Sequence, residues 1–193
     1  MEVFKGNFTQ QEPLPQDAID AAVNVLNTGR LHRYNLKEGD AGEVSSLELE
    51  FAKSIGADFC LAVASGGYAL ATALRAIDVK PAQKVLTNAF TLAPVPGAIA
   101  SINAVPLLVE VTENLTIDLD DLEAKASQSE VLLLSHMRGH ICDMDKLMEI
   151  ANRHRIKVIE DCAHTMGAGW NDKPSGSYGV IGCFSTQTYK HLN

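Results

Sequence analysis

The last third of the chain places an acid, an imidazole and an amine at spacings that suit chemistry on a ring. Asp161 closes the apolar run at the start of VIEDCAHTMGA (158–168), His164 follows three residues on, and Lys190 ends GCFSTQTYK (182–190). A carboxylate at the end of one strand and a lysine behind a second short strand can grip opposite edges of a heteroaromatic ring. The acid would keep a pyridine nitrogen protonated. The lysine, a better nucleophile once desolvated, would condense with an aldehyde. These are the demands that pyridoxal phosphate makes of a protein. Each residue also has an ordinary reading: Asp161 as a strand-end cap or half of an ion pair, His164 as a loop histidine, and Lys190 as a solvated lysine near the chain end.

A sheet has to bring these groups together, and the hydrophobic pattern supplies one. Short apolar runs at 59–64, 84–88, 105–111, 131–135 and 157–161 alternate with stretches of helical periodicity at about 67–77, 94–102, 119–126 and 144–154. Strands that are apolar throughout and separated by helices indicate a mainly parallel sheet covered on both faces, a three-layer α/β/α arrangement. Ligands in such sheets gather at the carboxyl ends of the strands. Ser65, Phe90, His136, Asp161 and Ser185 all fall at or just beyond such ends.

Ahead of the sheet, residues 1–15 read as an extended arm. Residues 17–29 read as a helix with Ile19, Ala22, Val23 and Leu26 on one face and Gly29 as its stop. The glycine-rich, charged stretch 30–43 reads as a loop. Residues 44–56 read as a helix opened by a capping box of Ser45 and Glu48. This divides the chain into an arm, helix and loop (1–43) and a sheet domain (44–193).

Two further motifs carry chemistry. In SGG (65–67), between a strand and a helix, two glycines let the backbone approach a phosphate whose charge the free amides at the helix start favour. A tight turn without a ligand fits the same residues. In SHMRGHIC, His136, His140 and Cys142 are ligand-type side chains within seven residues, but Gly139 spoils a helix between them. A polar cleft role for His136 suits the motif better than a metal centre.

Composition narrows the partners. The 193 residues can bury about 70% of the surface their unfolded chain exposes. The net charge of −8 argues against nucleic acid or an anionic membrane. Four cysteines with no close pair (60, 142, 162 and 183) point to free thiols in the cytoplasm, and no apolar run is long enough for a signal peptide or membrane span.

Six blocks in order make the chain recognisable: TGRL (28–31), VSSLELEFAKSIGA (44–57), AVASGGYALATAL (62–74), HMRG followed after three residues by DMD (136–145), VIEDCAHTMGA, and GSYGVIGCFSTQTYKHLN (176–193). Together they resemble the DegT/DnrJ/EryC1/StrS family of pyridoxal phosphate aminotransferases, fold type I enzymes that act chiefly on nucleotide-linked keto sugars. The resemblance implies that Lys190 is the Schiff-base lysine, Asp161 the acid on the pyridine nitrogen, and His164 the group near the cofactor's phenolic oxygen. By the same resemblance Ser65, Gly66 and Gly67 form the phosphate turn, and Ser185 adds a hydroxyl to it. Two positions depart from the pattern. Gly67 stands where a threonine is common, and Leu92 stands where an aromatic side chain stacks on the ring, which leaves Phe90 as the substitute.

The activity implied is transfer of an amino group from an amino acid, glutamate by family habit, to a keto sugar, in a homodimer or higher homo-oligomer. A lysine at position 190, where related dehydratases carry histidine, favours transfer over elimination. The chain stops three residues after that lysine, whereas family members continue into the rest of the large domain and a small C-terminal domain. In the family fold an antiparallel strand beyond the lysine inserts between the strand at 59–64 and the one leading to Ser185. Its loss leaves room for a second reading, a non-catalytic binding fragment that keeps a cofactor-shaped cleft.

Overall fold

The structure, a computed structural model, describes residues 13–34 and 42–190. Five parallel strands make the sheet, in the order β2 (Val105–Val109), β1 (Lys84–Asn88), β3 (Val131–Ser135), β4 (Lys157–Asp161) and β7 (Ile181–Cys183). Between them run helices α3 (Gly66–Ala76), α4 (Pro94–Ser101), α5 (Leu119–Lys125) and α6 (Met144–His154), preceded by α1 (Gln16–Thr28) and α2 (Gly42–Ile55). A two-stranded hairpin, β5 (Gly169–Trp170) with β6 (Lys173–Pro174), stands apart from the sheet. Among the described residues no helix is long and apolar enough to cross a membrane.

Alternation along the strands divides the core in two. Val85, Val131, Leu133, Ile159 and Cys183 pack with Leu70 and Leu74 of α3 and Ile99 of α4. Leu86, Leu132, Leu134 and Val158 pack with Leu122 of α5 and Met144, Leu147 and Ile150 of α6. Both faces of β3 are therefore covered, and all five of its residues are buried. The three-layer α/β/α architecture expected from the sequence is the one observed.

Two expectations need correction. Residues 59–64 form no strand. Ala62 instead has its N–H bonded to Oε1 of Glu48 at 2.6 Å and its carbonyl approached by Nη1 of Arg33 at 3.4 Å, with Phe59 90% exposed. An apolar run becomes a strand only with a ladder partner, and among the described residues no strand pairs with β7 on the side away from β4. The capping box is also absent: α2 begins at Gly42, so Ser45 lies inside the helix. Glu48 is spent on Ala62 and on a bidentate pair with Arg33 at 2.9 and 2.8 Å. The helix expected at 17–29 is present with Gly29 as its left-handed C-cap, but α1 buries none of its residues, and Val23 and Leu26 of its apolar stripe are exposed. The N-terminal arm, residues 35–41 of the expected loop and the last three residues fall outside the described set.

The sheet's last strand is held by a buried acid. Glu160 has no exposed surface. Its Oε1 accepts the N–H groups of Tyr178 and Gly179, both at 2.7 Å, while Oε2 accepts the N–H of Gly176 at 2.9 Å and faces Nε2 of His136 at 3.1 Å. These contacts fix the turn that feeds β7. That turn is tight: a Cβ on Gly176, whose φ is +87°, would collide with the ring of Phe184, and one on Gly179 with the carbonyl of Val158. Burial pushes the Glu160 carboxyl up, but the hydrogen bonds from His136 and from the amides of Gly179 and Gly176 outweigh it and hold the group below its ordinary value.

Because both oxygens accept, Glu160→Gln must turn an NH2 group toward donors. Two of these would be left unmet at about 1 to 3 kcal/mol each, so thermal denaturation should show a midpoint well below that of the parent. The sign with pH follows from the lowered folded value. The stabilisation is complete above the ordinary glutamate range and is lost as pH falls through the folded pKa. Acid titration of the Gln variant should therefore lack that component, and an unchanged acid-unfolding curve would contradict the clamp.

Candidate functional site

Asp161 is the last residue of β4 and lies two residues beyond Ile159, so its side chain falls on the α3 and α4 face. Its neighbour Glu160 falls on the opposite one. The carboxylate is half-buried and held from two directions. Its Oδ2 accepts the hydroxyl of Ser135 at 3.0 Å, and its Oδ1 accepts the N–H of Ala163 at 3.2 Å. Ser135 is itself fixed by buried Asn88, whose Oδ1 accepts the Ser135 N–H at 2.9 Å and whose Nδ2 donates to the Ser135 carbonyl at 3.1 Å. The same Nδ2 donates to the carbonyl of Phe90 at 2.9 Å, so one amide side chain ties the ends of β1 and β3 to the loop that follows β1.

The SGG turn opens α3 as expected. Ser65 is its N-cap, in extended conformation with φ −164°, and its hydroxyl accepts the N–H of Tyr68 at 3.2 Å. The first amides of a helix have no partner inside it, so those of Gly66 and Gly67 can receive an anion. Ser185 stands next to them. A Cβ on Gly66 would lie 3.6 Å from the Ser185 Cβ and 3.8 Å from its Oγ. The start of α3 and the residue that follows β7 by two, distant in the chain, thus lie side by side.

Beyond Ser185 the chain turns, with the N–H of Gln187 reaching the Ser185 Oγ at 3.4 Å and the N–H of Lys190 donating to the Gln187 carbonyl at 2.7 Å. Lys190 is half-buried. It lies seven residues beyond β7, whose last residue, Cys183, pairs with Asp161 at the end of β4. His164 lies in the loop after Asp161, and its Nδ1 accepts the N–H of Arg138 at 3.2 Å. Phe90 is half-buried in the loop after β1, while Leu92 is 46% exposed.

The metal reading of 136–142 is not supported by where the groups go. His140 is exposed, and the buried Cys142 thiol, pushed up to about 12 by burial, faces the sulfur of Met144 at 3.7 Å. Among the described residues the group that draws within 4.8 Å is instead His136, Glu160 and Cys162. Its chemistry is that of an internal network. The Glu160 oxygens already accept four hydrogen bonds, and burial, reinforced by the Glu160 charge, raises the Cys162 thiol well above 9, which disfavours the thiolate a metal needs.

The structure therefore sets Ser185 beside Gly66 at the start of α3 and Asp161 at the end of β4, the strand adjacent to β7, beyond which the chain runs on to Lys190. Three contributors were not read from the sequence: Asn88, Ser135 and Glu160. Only a polar residue ending an apolar run, as in KVLTN and VLLLS, hinted at the first two.

Over residues 16–193 the chain matches the DegT/DnrJ/EryC1/StrS aminotransferase family. It is 33% identical over 184 residues to the L-glutamine:scyllo-inosose aminotransferase of Streptomyces griseus, an alignment covering 93% of this chain and 43% of that protein. To the dTDP-3-amino-3,6-dideoxy-alpha-D-galactopyranose transaminase of Aneurinibacillus thermoaerophilus it is 37% identical over 147 residues, 75% of this chain and 40% of that one. Among solved structures, the aminotransferase from Psychrobacter cryohalolentis superposes with a TM-score of 0.87 at 28% identity, over 97% of this chain and 47% of the other. The 3-amino-5-hydroxybenzoic acid synthase does so with 0.85 at 30% identity, over 97% and 48%. The chain spans less than half the length of each of these proteins. By sequence and by fold it belongs to the DegT/DnrJ/EryC1/StrS aminotransferase family, whose cofactor is pyridoxal 5′-phosphate.

Proposed function

We propose that this chain is the cofactor-binding part of an aminotransferase that moves an amino group from an amino acid to a keto sugar. The observation that carries the reading is Asp161, a carboxylate fixed by Ser135 and Ala163 at a strand end next to the strand that leads to Ser185 and Lys190. Pyridoxal phosphate, when bound, supplies an aldehyde that links to amines and a ring that accepts the electron pair released at a substrate carbon. The phosphate would sit on the amides of Gly66 and Gly67 with the Ser65 and Ser185 hydroxyls beside it. Asp161 would hold a proton on the pyridine nitrogen, His164 would face the phenolic oxygen, and Phe90 would cover the ring in place of an aromatic at Leu92. Lys190 would hold the aldehyde and would serve as the base that moves a proton to and from the substrate carbon.

For the donor we favour glutamate, and the Streptomyces griseus relative is named for L-glutamine. Both present the same α-amino acid group to the site. A nucleotide-linked keto sugar is the acceptor we favour, in line with the dTDP-sugar transaminase. A second reading, a cyclic polyol ketone, is favoured by the inosose relative. We also place the protein in the cytoplasm as a homodimer or higher homo-oligomer. The uncovered apolar stripe of α1 supports self-association, and we divide the chain into an arm, helix and loop (1–43) and a sheet domain (44–193), a boundary that falls within the first turn of α2. A binding fragment without catalysis remains the alternative that the first test below separates.

Purified protein mixed with pyridoxal phosphate should develop a visible absorbance band. Borohydride should then fix the adduct, which peptide mass spectrometry locates at Lys190. Lys190→Ala should lose both the band and transamination, and parent-like turnover in that variant would refute the assignment. Asp161→Ala should cost on the order of 3 to 5 kcal/mol through an unpaired ring cation. Gly67→Thr should improve binding: its φ is not left-handed, and an added Cβ would meet Pro94 at an ordinary 3.6 Å. The threonine hydroxyl then joins the anion niche, and a several-fold lower Kd for pyridoxal phosphate by equilibrium dialysis is the expected result.

A further inference from the structure

The loop after β3 is shaped around His164 in a way that the proposed reaction does not by itself require. Residues Met137–Gly139 make a 3₁₀ turn in which Arg138, at φ 58° and ψ 19°, and Gly139, at φ +84°, are both left-handed. That conformation is uncommon for a residue with a side chain and tends to be retained where the surroundings demand it. The turn is anchored at its root. His136 is 1% exposed with its Nε2 on Glu160, Met137 is 4% exposed, and the N–H groups of Gly139 and His140 bond back to the carbonyls of His136 and Met137 at 3.1 and 3.2 Å. What the turn delivers is the Arg138 N–H, 3.2 Å from Nδ1 of His164. The two segments also touch through their backbones, since a Cβ on Gly139 would lie 3.4 Å from the His164 carbonyl oxygen.

A main-chain amide can only donate, so the nitrogen facing it must carry a lone pair. We infer that the Arg138 amide fixes the His164 tautomer, with Nδ1 bare and the proton on Nε2, so that the left-handed turn is a positioning element that makes His164 a hydrogen-bond donor. Unlike a side chain or a water molecule, an amide cannot reverse this polarity. The far edge of the ring then presents an N–H suited to an anionic oxygen, and on the functional reading above that oxygen is the cofactor's phenolate. The inference rests on that reading only for the identity of the oxygen. Its first half concerns the protein alone.

The test has two separate arms. Long-range proton–nitrogen correlation spectra of histidine-labelled, cofactor-free protein, with His164 identified by the signals lost in His164→Gln, should show a protonated Nε2 and a bare Nδ1. The Nδ1–H tautomer, or a mixture, would overturn the inference. In the second arm the Kd for pyridoxal phosphate is measured. His164→Ala should weaken binding by roughly tenfold or more. His164→Gln, which can turn its carbonyl to Arg138 and its NH2 outward, should restore most of the loss. His164→Glu, which keeps an acceptor for Arg138 but has no donor to offer, should not. Equal rescue by Gln and Glu would overturn the donor role while leaving the cofactor reading intact. Absence of any pyridoxal phosphate adduct at Lys190 in the parent protein would sink that reading instead, with the tautomer still decided by the first arm.

Discussion

The carboxyl end of this sheet depends on one carboxylate that does no chemistry. Glu160 is fully buried, and each of its oxygens is engaged twice, by His136 from β3's end and by three amides from the turn before β7. A three-residue strand has too few ladder bonds to set its own position. Glu160 supplies what the ladder lacks. Once β7 is set, so is the approach of Ser185 to the glycine turn of α3, and with it the route of the chain to Lys190. Burying a charge in this way is unfavourable unless every lone pair is met, and here each oxygen has two partners.

Glu160 and Asp161 are adjacent and chemically almost identical, yet the pleat sends them to opposite faces and so to opposite duties. Glu160, on the α5 and α6 side, is walled in and organises backbone. Asp161, on the α3 and α4 side, is half-buried, keeps an open flank, and is steadied by a hydroxyl and a single amide. A shift of one residue in the β4 register would exchange them. It would bury Asp161 and expose the clamp. The register with β3, which pairs Ser135 with Asp161, prevents this, and Asn88 reinforces it from β1.

Much of this was legible in the chain. Strand and helix order, the helix-opening SGG, and an acid closing VIED follow from patterns within a few residues, because burial on both faces of a parallel sheet leaves continuous apolar runs. The unreadable parts are non-local. Nothing near Glu48 says that its carboxylate will meet Ala62 and Arg33 rather than cap its own helix. Likewise nothing in IED says which carboxylate turns inward, since that depends on donors near 136 and 176–179. The run at 59–64 misled for a related reason: its composition suits a strand, but strand formation is a property of a pair of segments.

That run shows how the glycine turn is held on its other side. Residues 59–64 lead directly into Ser65, so freedom there would loosen the N-terminus of α3. With no strand alongside among the described residues, the backbone of Ala62 is met by side chains instead. Glu48 takes its N–H, and Arg33, locked to Glu48 through two hydrogen bonds, approaches its carbonyl. A carboxylate and a guanidinium therefore do for one residue what a neighbouring strand does for many. They brace the glycine turn from outside the sheet while Glu160, through β7 and Ser185, braces it from within. The start of α3 is the place where these two constraints meet, which is why a turn with two glycines, flexible in isolation, can hold its amides in one fixed direction.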